Sequence, residues 1–177
     1  MNGSAANKIV YSVLGLLLVA VAVLVFLSRG DADLRRALEE NREFEIRIDG
    51  ANAVTVSLQA LVDMDPDEFK TSFATSVSAP REVTLRGVEL RILLDELKID
   101  ASQASHFVIS GLDSYYSPLT REEVEREGLI YLCFAMDGEV LKTRSDGGYE
   151  PFLMVIRGSS FAQRWCKYVE AVDVIIS

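Results

Sequence analysis

The residues best suited to chemistry in this 177-residue chain lie close together near its end: Arg157, Gly158, Ser159, Ser160, Arg164 and Lys167. Arginine offers a planar fork of donors to a phosphate, and lysine a compact point charge. Gly158 lets the backbone approach an anion, with Arg157, Ser159 and Ser160 around it. The set points to recognition of a phosphorylated or other anionic ligand, with Arg164 and Lys167 as principal contacts. The competing use of these cations is pairing with the chain's own carboxylates, of which there are 27. If they hold a ligand, removal of Arg164 or Lys167 weakens its binding by about 1.5–3 kcal/mol.

Other constellations carry less. His106 is the only histidine, so a Ser-His-Asp triad would have to be built around it. It precedes an apolar segment and reads as structural or exposed. A zinc site needs three or four ligands, and few are available outside carboxylates. Glu122, Glu123, Glu125 and Glu127 read as a solvated helix face. Asp63, Asp65, Asp67 and Glu68 lack the glycine and distant glutamate of a calcium loop. Tyr115 and Tyr116 could line a pocket or simply pack. Cys133 and Cys166 are the only cysteines and lie outside any metal-ligand spacing. They read as buried free thiols, or as a disulfide if the domain is exported and their Cα atoms come within about 7 Å. No metal ligand set and no catalytic residue emerges.

The elements that must position these residues alternate in period. Phe44, Ile46 and Ile48 alternate with polar residues up to Gly50, and Val54, Val56 and Leu58 repeat the pattern, so both read as strands. Ser57 is placed to cap a short helical turn through Leu61. Phe69 to Ser78 alternates again, with Pro80 expected to end the strand. Val83–Leu85 reads as a short strand up to Gly87, and Leu90, Leu93, Leu94 and Leu97 have helical spacing. Phe107–Ile109 is a strand. Thr120 with Glu123 forms a capping box for a helix that Gly128 closes. Leu129–Ala135 is a strongly apolar strand followed by the Asp137-Gly138 turn, with a second loop at Asp146-Gly147-Gly148. Phe152–Ile156 and Trp165–Ile176 supply the last strands. Many short strands with a few short helices make a mixed α+β domain.

Ahead of that domain, Ile9 to Leu27 is a run of nineteen uncharged residues. As a helix it would be about 28 Å long, close to the thickness of a bilayer's hydrocarbon core. The run is long for a signal peptide, and the best cleavage site, Gly30-Asp31-Ala32, is poor. It therefore reads as an uncleaved transmembrane anchor over 9–27, after a tail at 1–8. Residues 28–43 follow as a stalk, with Leu34, Ala37 and Leu38 on one helical face, and 44–177 form the domain. The part of the chain after the apolar run carries 17 basic residues against 27 acidic ones, a net charge of −10. That argues against nucleic acid and against an anionic lipid surface as partners. Lys8 and the amino terminus precede the run and Arg29, Arg35 and Arg36 follow it, so cations alone lean toward a cytoplasmic C-terminus, whereas the very short N-terminal tail is of the kind left behind when the rest is exported.

Taken in order, several short segments resemble the sulfite-oxidase-type molybdopterin-binding domain. They are Ser57-Leu58-Gln59-Ala60-Leu61 before an acidic loop with Pro66; Gly87-Val88-Glu89-Leu90 with Leu93-Leu94; and Asp113-Ser114-Tyr115-Tyr116. Met136-Asp137-Gly138 with Leu141 follows, then Pro151 leading a strand to Gly158, and finally Arg164 with Lys167-Tyr168. The resemblance covers nearly all of 44–177. It implies that fold, a molybdopterin cofactor, pterin-phosphate contacts from Arg164 and Lys167, and an extracytoplasmic domain. The departures matter equally. Family enzymes ligate molybdenum through a cysteine before the Gly-x-x-Leu segment, but Thr71–Ser78 contains none, and hydroxyls are poor substitutes for a thiolate. The family's His-Gly pair is here Gly148-Tyr149, and an arginine of the Pro-led strand is here Leu153.

The resulting expectation is a single-pass membrane protein with an extracytoplasmic sulfite-oxidase-type α+β domain. It would bind an anionic, phosphorylated or pterin-like ligand, or a protein partner, without thiolate-held molybdenum. The alternative is an active molybdopterin-dependent oxidoreductase whose metal is held only by the pterin.

Overall fold

The computed structural model describes residues 14–21, 23, 33–34, 36–38, 40–75, 78–158 and 164–176. Ten strands form two five-stranded sheets. The first has the order β2-β1-β10-β5-β6. Its members are β1 (Glu43–Ile48), β2 (Ala51–Ser57), β5 (His106–Gly111), β6 (Tyr116–Thr120) and β10 (Val169–Ile175). β1 and β10 pair in parallel, Glu45 opposite Ala171, so the last strand closes against the first. The second sheet runs β3 (Asp67–Thr75), β4 (Ser78–Glu89), β7 (Ile130–Met136) and β8 (Glu139–Val140). β9 (Leu153–Ile156) shares the outer edge of β7 with β8.

The sequence periods explain most of this. Phe44 and Ile46 are buried, as their alternation requires. Ser57 Oγ accepts from the Ala60 amide at 3.2 Å and caps α1 (Leu58–Asp63). The Leu90, Leu93 and Leu94 face of α2 (Leu90–Glu96) is fully buried. The capping box on α3 (Arg121–Glu125) is present in both directions. β7 has no polar face because β4 lies on one edge, β8 and β9 lie on the other, and both of its faces meet the core.

Three expectations need correction. Pro80 does not end the strand that starts near Phe69; it lies inside β4, which turns back along β3 with Phe73 opposite Arg81. Here the ladder is irregular and β7 does not yet pair, so no sheet bond is lost to the missing amide. The short strand at Val83–Leu85 is the middle of this twelve-residue strand. The segment from Trp165 is not continuous strand: Cys166 makes one isolated bridge to Met154, and β10 starts only at Val169. β6 carries no clear alternating signal, yet Pro118 is tolerated in it because it is an edge strand.

Residues 33–34 and 36–38 are helical, and Ala37 is buried with Leu34 and Leu38 packed on the core. Residues 14–21 and 23 are also helical, with large apolar side chains 51–74% exposed. Among the described residues, no helix is long and apolar enough to cross a membrane. Much of the 9–27 run lies outside the described residues.

Candidate functional site

The segment 164–168 is held against β9. Cys166 exchanges backbone hydrogen bonds with Met154 at 2.8 and 3.2 Å, and Trp165 Nε1 donates to the Ile156 carbonyl at 3.3 Å. Trp165 and Cys166 therefore face the core, while Arg164 is exposed and Lys167 half-buried.

Each described cation of the predicted set has its own partner. Arg164 makes a two-pronged pair with Glu123, at 2.7 Å to Oε1 and 3.0 Å to Oε2, and donates to the Pro118 carbonyl at 2.9 Å. This arginine holds the Glu123 carboxyl below its ordinary value, and the same bond raises the arginine's own pKa. Glu123 is thus not part of a solvated face: it serves the helix cap and the arginine together. Arg157 lies over the Phe69 ring at 5.0 Å. Lys167 Nζ lies 4.9 Å from the centre of the Tyr149 ring. Ser159 and Ser160 lie outside the described residues.

Tyr149, one of the positions that departs from the family pattern, turns out to be the hub of the corner. Its ring packs on Phe73 (5.5 Å) and Tyr168 (6.4 Å), and Phe73 also meets Trp165 (5.5 Å). Arg144 lies 5.3 Å over the Tyr168 ring. Two of the departing segments, around Phe73 and at Gly148-Tyr149, therefore come together here beside Lys167. Among the described residues, neither Lys167 nor Arg144 is paired with a carboxylate. Tyr149 also lines a cleft of about 350 Å³ with Arg81, Met136, Asp137, Lys142 and Gly148. The cleft's own cations are committed, Arg81 to Asp137 at 2.8 Å and Lys142 to Glu139 at 2.8 Å. A larger cleft of about 520 Å³ lies under the 33–40 segment. Its half-buried Arg42 is likewise engaged, by the Leu141 carbonyl, Glu40 and Glu150.

Among the described residues, the rings of Phe73, Tyr149, Trp165 and Tyr168 make up the corner, and no thiol is exposed there. Phe73, at the centre of the segment where a thiolate would be needed, is 3% exposed and enclosed by aromatic rings. Both cysteines are fully buried and free. Burial pushes the Cys133 thiol far up, and burial with Asp113 and Glu170 nearby pushes Cys166 up to about 12. Register also excludes their pairing. Cys166 is opposite Met154, Met154 is opposite Leu132, and Cys133 is the next residue on β7. Two strand spacings separate them by about 9–10 Å, and their side chains leave opposite faces, beyond the reach of a disulfide.

His106 is exposed beside Ser105 Oγ, 3.0 Å from its Nδ1. Sequence reasoning missed Arg144 altogether, because its stacking partner is 24 positions away. It treated Tyr149 only as a departure from a pattern.

A family model described as the oxidoreductase molybdopterin binding domain matches residues 35–176. Among solved structures, that of the sulfane dehydrogenase SoxCD from Paracoccus pantotrophus superposes with a TM-score of 0.61 at 16% identity. The match covers 77% of this chain and 38% of that one, so the likeness establishes a shared fold over part of a longer protein. Comparison with curated proteins gives no match.

Proposed function

The chain belongs to the oxidoreductase molybdopterin-binding domain family, and from that premise we propose that it is a membrane-anchored binding module that does not grip a redox metal through a protein thiolate. Its ligand is flat and anionic, of the phosphorylated or pterin-like class, and is taken at the Tyr149–Lys167 corner. The domain faces the extracytoplasmic side, anchored by the apolar run at 9–27.

The observation that carries this is the enclosure of Phe73 by Tyr149 and Trp165, with both thiols buried elsewhere and held protonated. A molybdenum centre calls for a soft donor, and the residues present do not fit that requirement. They do fit a ring system bearing negative charge. Tyrosine faces offer stacking, and Lys167 and Arg144 offer charge not cancelled by described carboxylates. Arg164 contributes by clasping Glu123 and so fixing the segment that presents Lys167. The uncovered apolar side chains of the 14–21 helix support the anchor, since a helix apolar on all sides is suited to lipid or a protein core and not to water.

Metal analysis of the full chain purified from a molybdenum-replete host tests the proposal. A folded protein with far less than stoichiometric molybdenum or tungsten is the expected result. A stoichiometric metal with dithiolene absorption would overturn it in favour of an active oxidoreductase. Calorimetric titration with a phosphorylated pterin should show binding that Lys167→Ala weakens about 10-fold. The same loss from Arg164→Ala but none from Lys167→Ala would move the site to the Glu123 clasp.

A further inference from the structure

The first sheet presents an unexplained feature at one end. The turn from β5 into β6 carries Leu112 at 62% exposure and Tyr115 at 38%, and β6 opens on Tyr116 at 62%. Elsewhere in the domain, among the described residues, the exposed large apolar side chains are the scattered Ile92 and Ile176. Within the tip, Asp113 Oδ1 accepts from the Tyr115 amide at 3.3 Å. The tip is braced as well: Leu112 N donates to the Tyr168 carbonyl at 2.9 Å, and Gly111 leaves no room for a side chain, since a Cβ there would meet the Lys167 carbonyl at 2.5 Å. Arg144, stacked on Tyr168, places a cation beside it.

Strand register fixes which end of the sheet this is. Gly111 is opposite Val169 on β10, and β10 runs parallel to β1 with Ala171 opposite Glu45. The tip therefore projects from the end of the sheet at which the chain enters β1 from its N-terminal segment. That entry is short. The 33–38 segment is packed on the core through Ala37, and only five residues separate Asp33 from the end of the apolar run at Leu27. Fully extended, they span about 20 Å. An anchor in the bilayer would keep this end of the domain close to the membrane surface.

We infer that the β5–β6 tip is a bilayer-docking element whose Leu112, Tyr115 and Tyr116 side chains rest at the headgroup–acyl boundary of a neutral phospholipid membrane. Leucine supplies apolar area and tyrosine an amphipathic ring, the combination favoured at membrane interfaces. A neutral surface suits a chain whose part after the apolar run has a net charge of −10, from 17 basic and 27 acidic residues. This rests on the proposed anchor.

The test uses the full chain in phosphatidylcholine vesicles containing acyl-chain spin-labelled lipid. Leu112→Cys and Tyr116→Cys are each labelled with an environment-sensitive fluorophore, with Gln103→Cys as the control. Gln103 is exposed and precedes β5, at the opposite end of the sheet, and the two natural thiols are buried, so labelling is selective. Quenching at 112 and 116 about threefold greater than at 103 is expected, with a blue-shifted emission. A chain that resists alkaline extraction but shows equal quenching at all three positions overturns the docking element alone, and leaves the tip to a protein partner. A chain that alkaline carbonate releases from the vesicles overturns the anchor and the docking together.

Discussion

Phe73 and the two cysteines decide the chemistry at the scale of single residues. A thiol can serve as a metal ligand or nucleophile only as thiolate, and burial opposes that form for both Cys133 and Cys166. For a raised pKa, the neutral form persists through the whole neutral range. Neither thiol should therefore react with a disulfide reagent at pH 8 in the folded protein, and both should react after denaturation. Fast labelling of one thiol in the native state would show a solvent path that the packing does not contain. The cations differ in the same local way. Arg164 is spent on Glu123, whereas Lys167 rests on a ring and keeps its charge available.

At the scale of elements, two contacts hold the corner in place. The first is Gly87 on β4. A Cβ there would run into the Leu132 carbonyl and lie 2.6 Å from the Cys133 Cα, at the register shift between β4 and β7. Gly87→Ala must separate two central strands, and about 1–3 kcal/mol of lost stability is expected in denaturant titration. The glycine that the sequence presents as the start of a helix entry is thus required by strand packing. The second contact is the α3 cap. The Glu123 carboxyl is depressed from its ordinary value of 4.5, first by the Arg164 hydrogen bond. A depressed acid contributes stability that is present above the unfolded-state value and lost as pH falls through the folded one. Acidification below pH 4.5 should therefore loosen the 164–168 segment. Glu123→Gln keeps the capping geometry but removes this ionisation, so its stability should fall less steeply with acid than that of the wild type. Parallel acid limbs in the two proteins would mean that the clasp contributes nothing.

For the whole molecule, one continuous core joins both sheets among the described residues, and both cysteines are free thiols within it. Protein made with and without molybdate should melt within about 1 °C of each other, because a ligand raises the melting temperature only if it binds the native state. A clear rise with molybdate would indicate a tight cofactor and contradict the binding-module proposal.

The amino-acid order by itself determined a good deal here. Alternation marked β1 and β2, a continuous apolar run marked β7, and cap chemistry at Ser57 and Thr120 opened two helices. The ordered short segments were enough to suggest the family, because these signals depend on neighbours within a few positions. It missed the hairpin that carries Pro80 into β4, because that proline's tolerance depends on which strand lies beside it. Only the tertiary structure decided what each functional side chain meets. Arg164 finds Glu123 across 41 positions, and Tyr149 finds the Phe73 ring, while Cys133 and Cys166 lie on either side of β9 and face apart. Such pairings are set by register and packing among distant strands, and no local pattern in the chain encodes them.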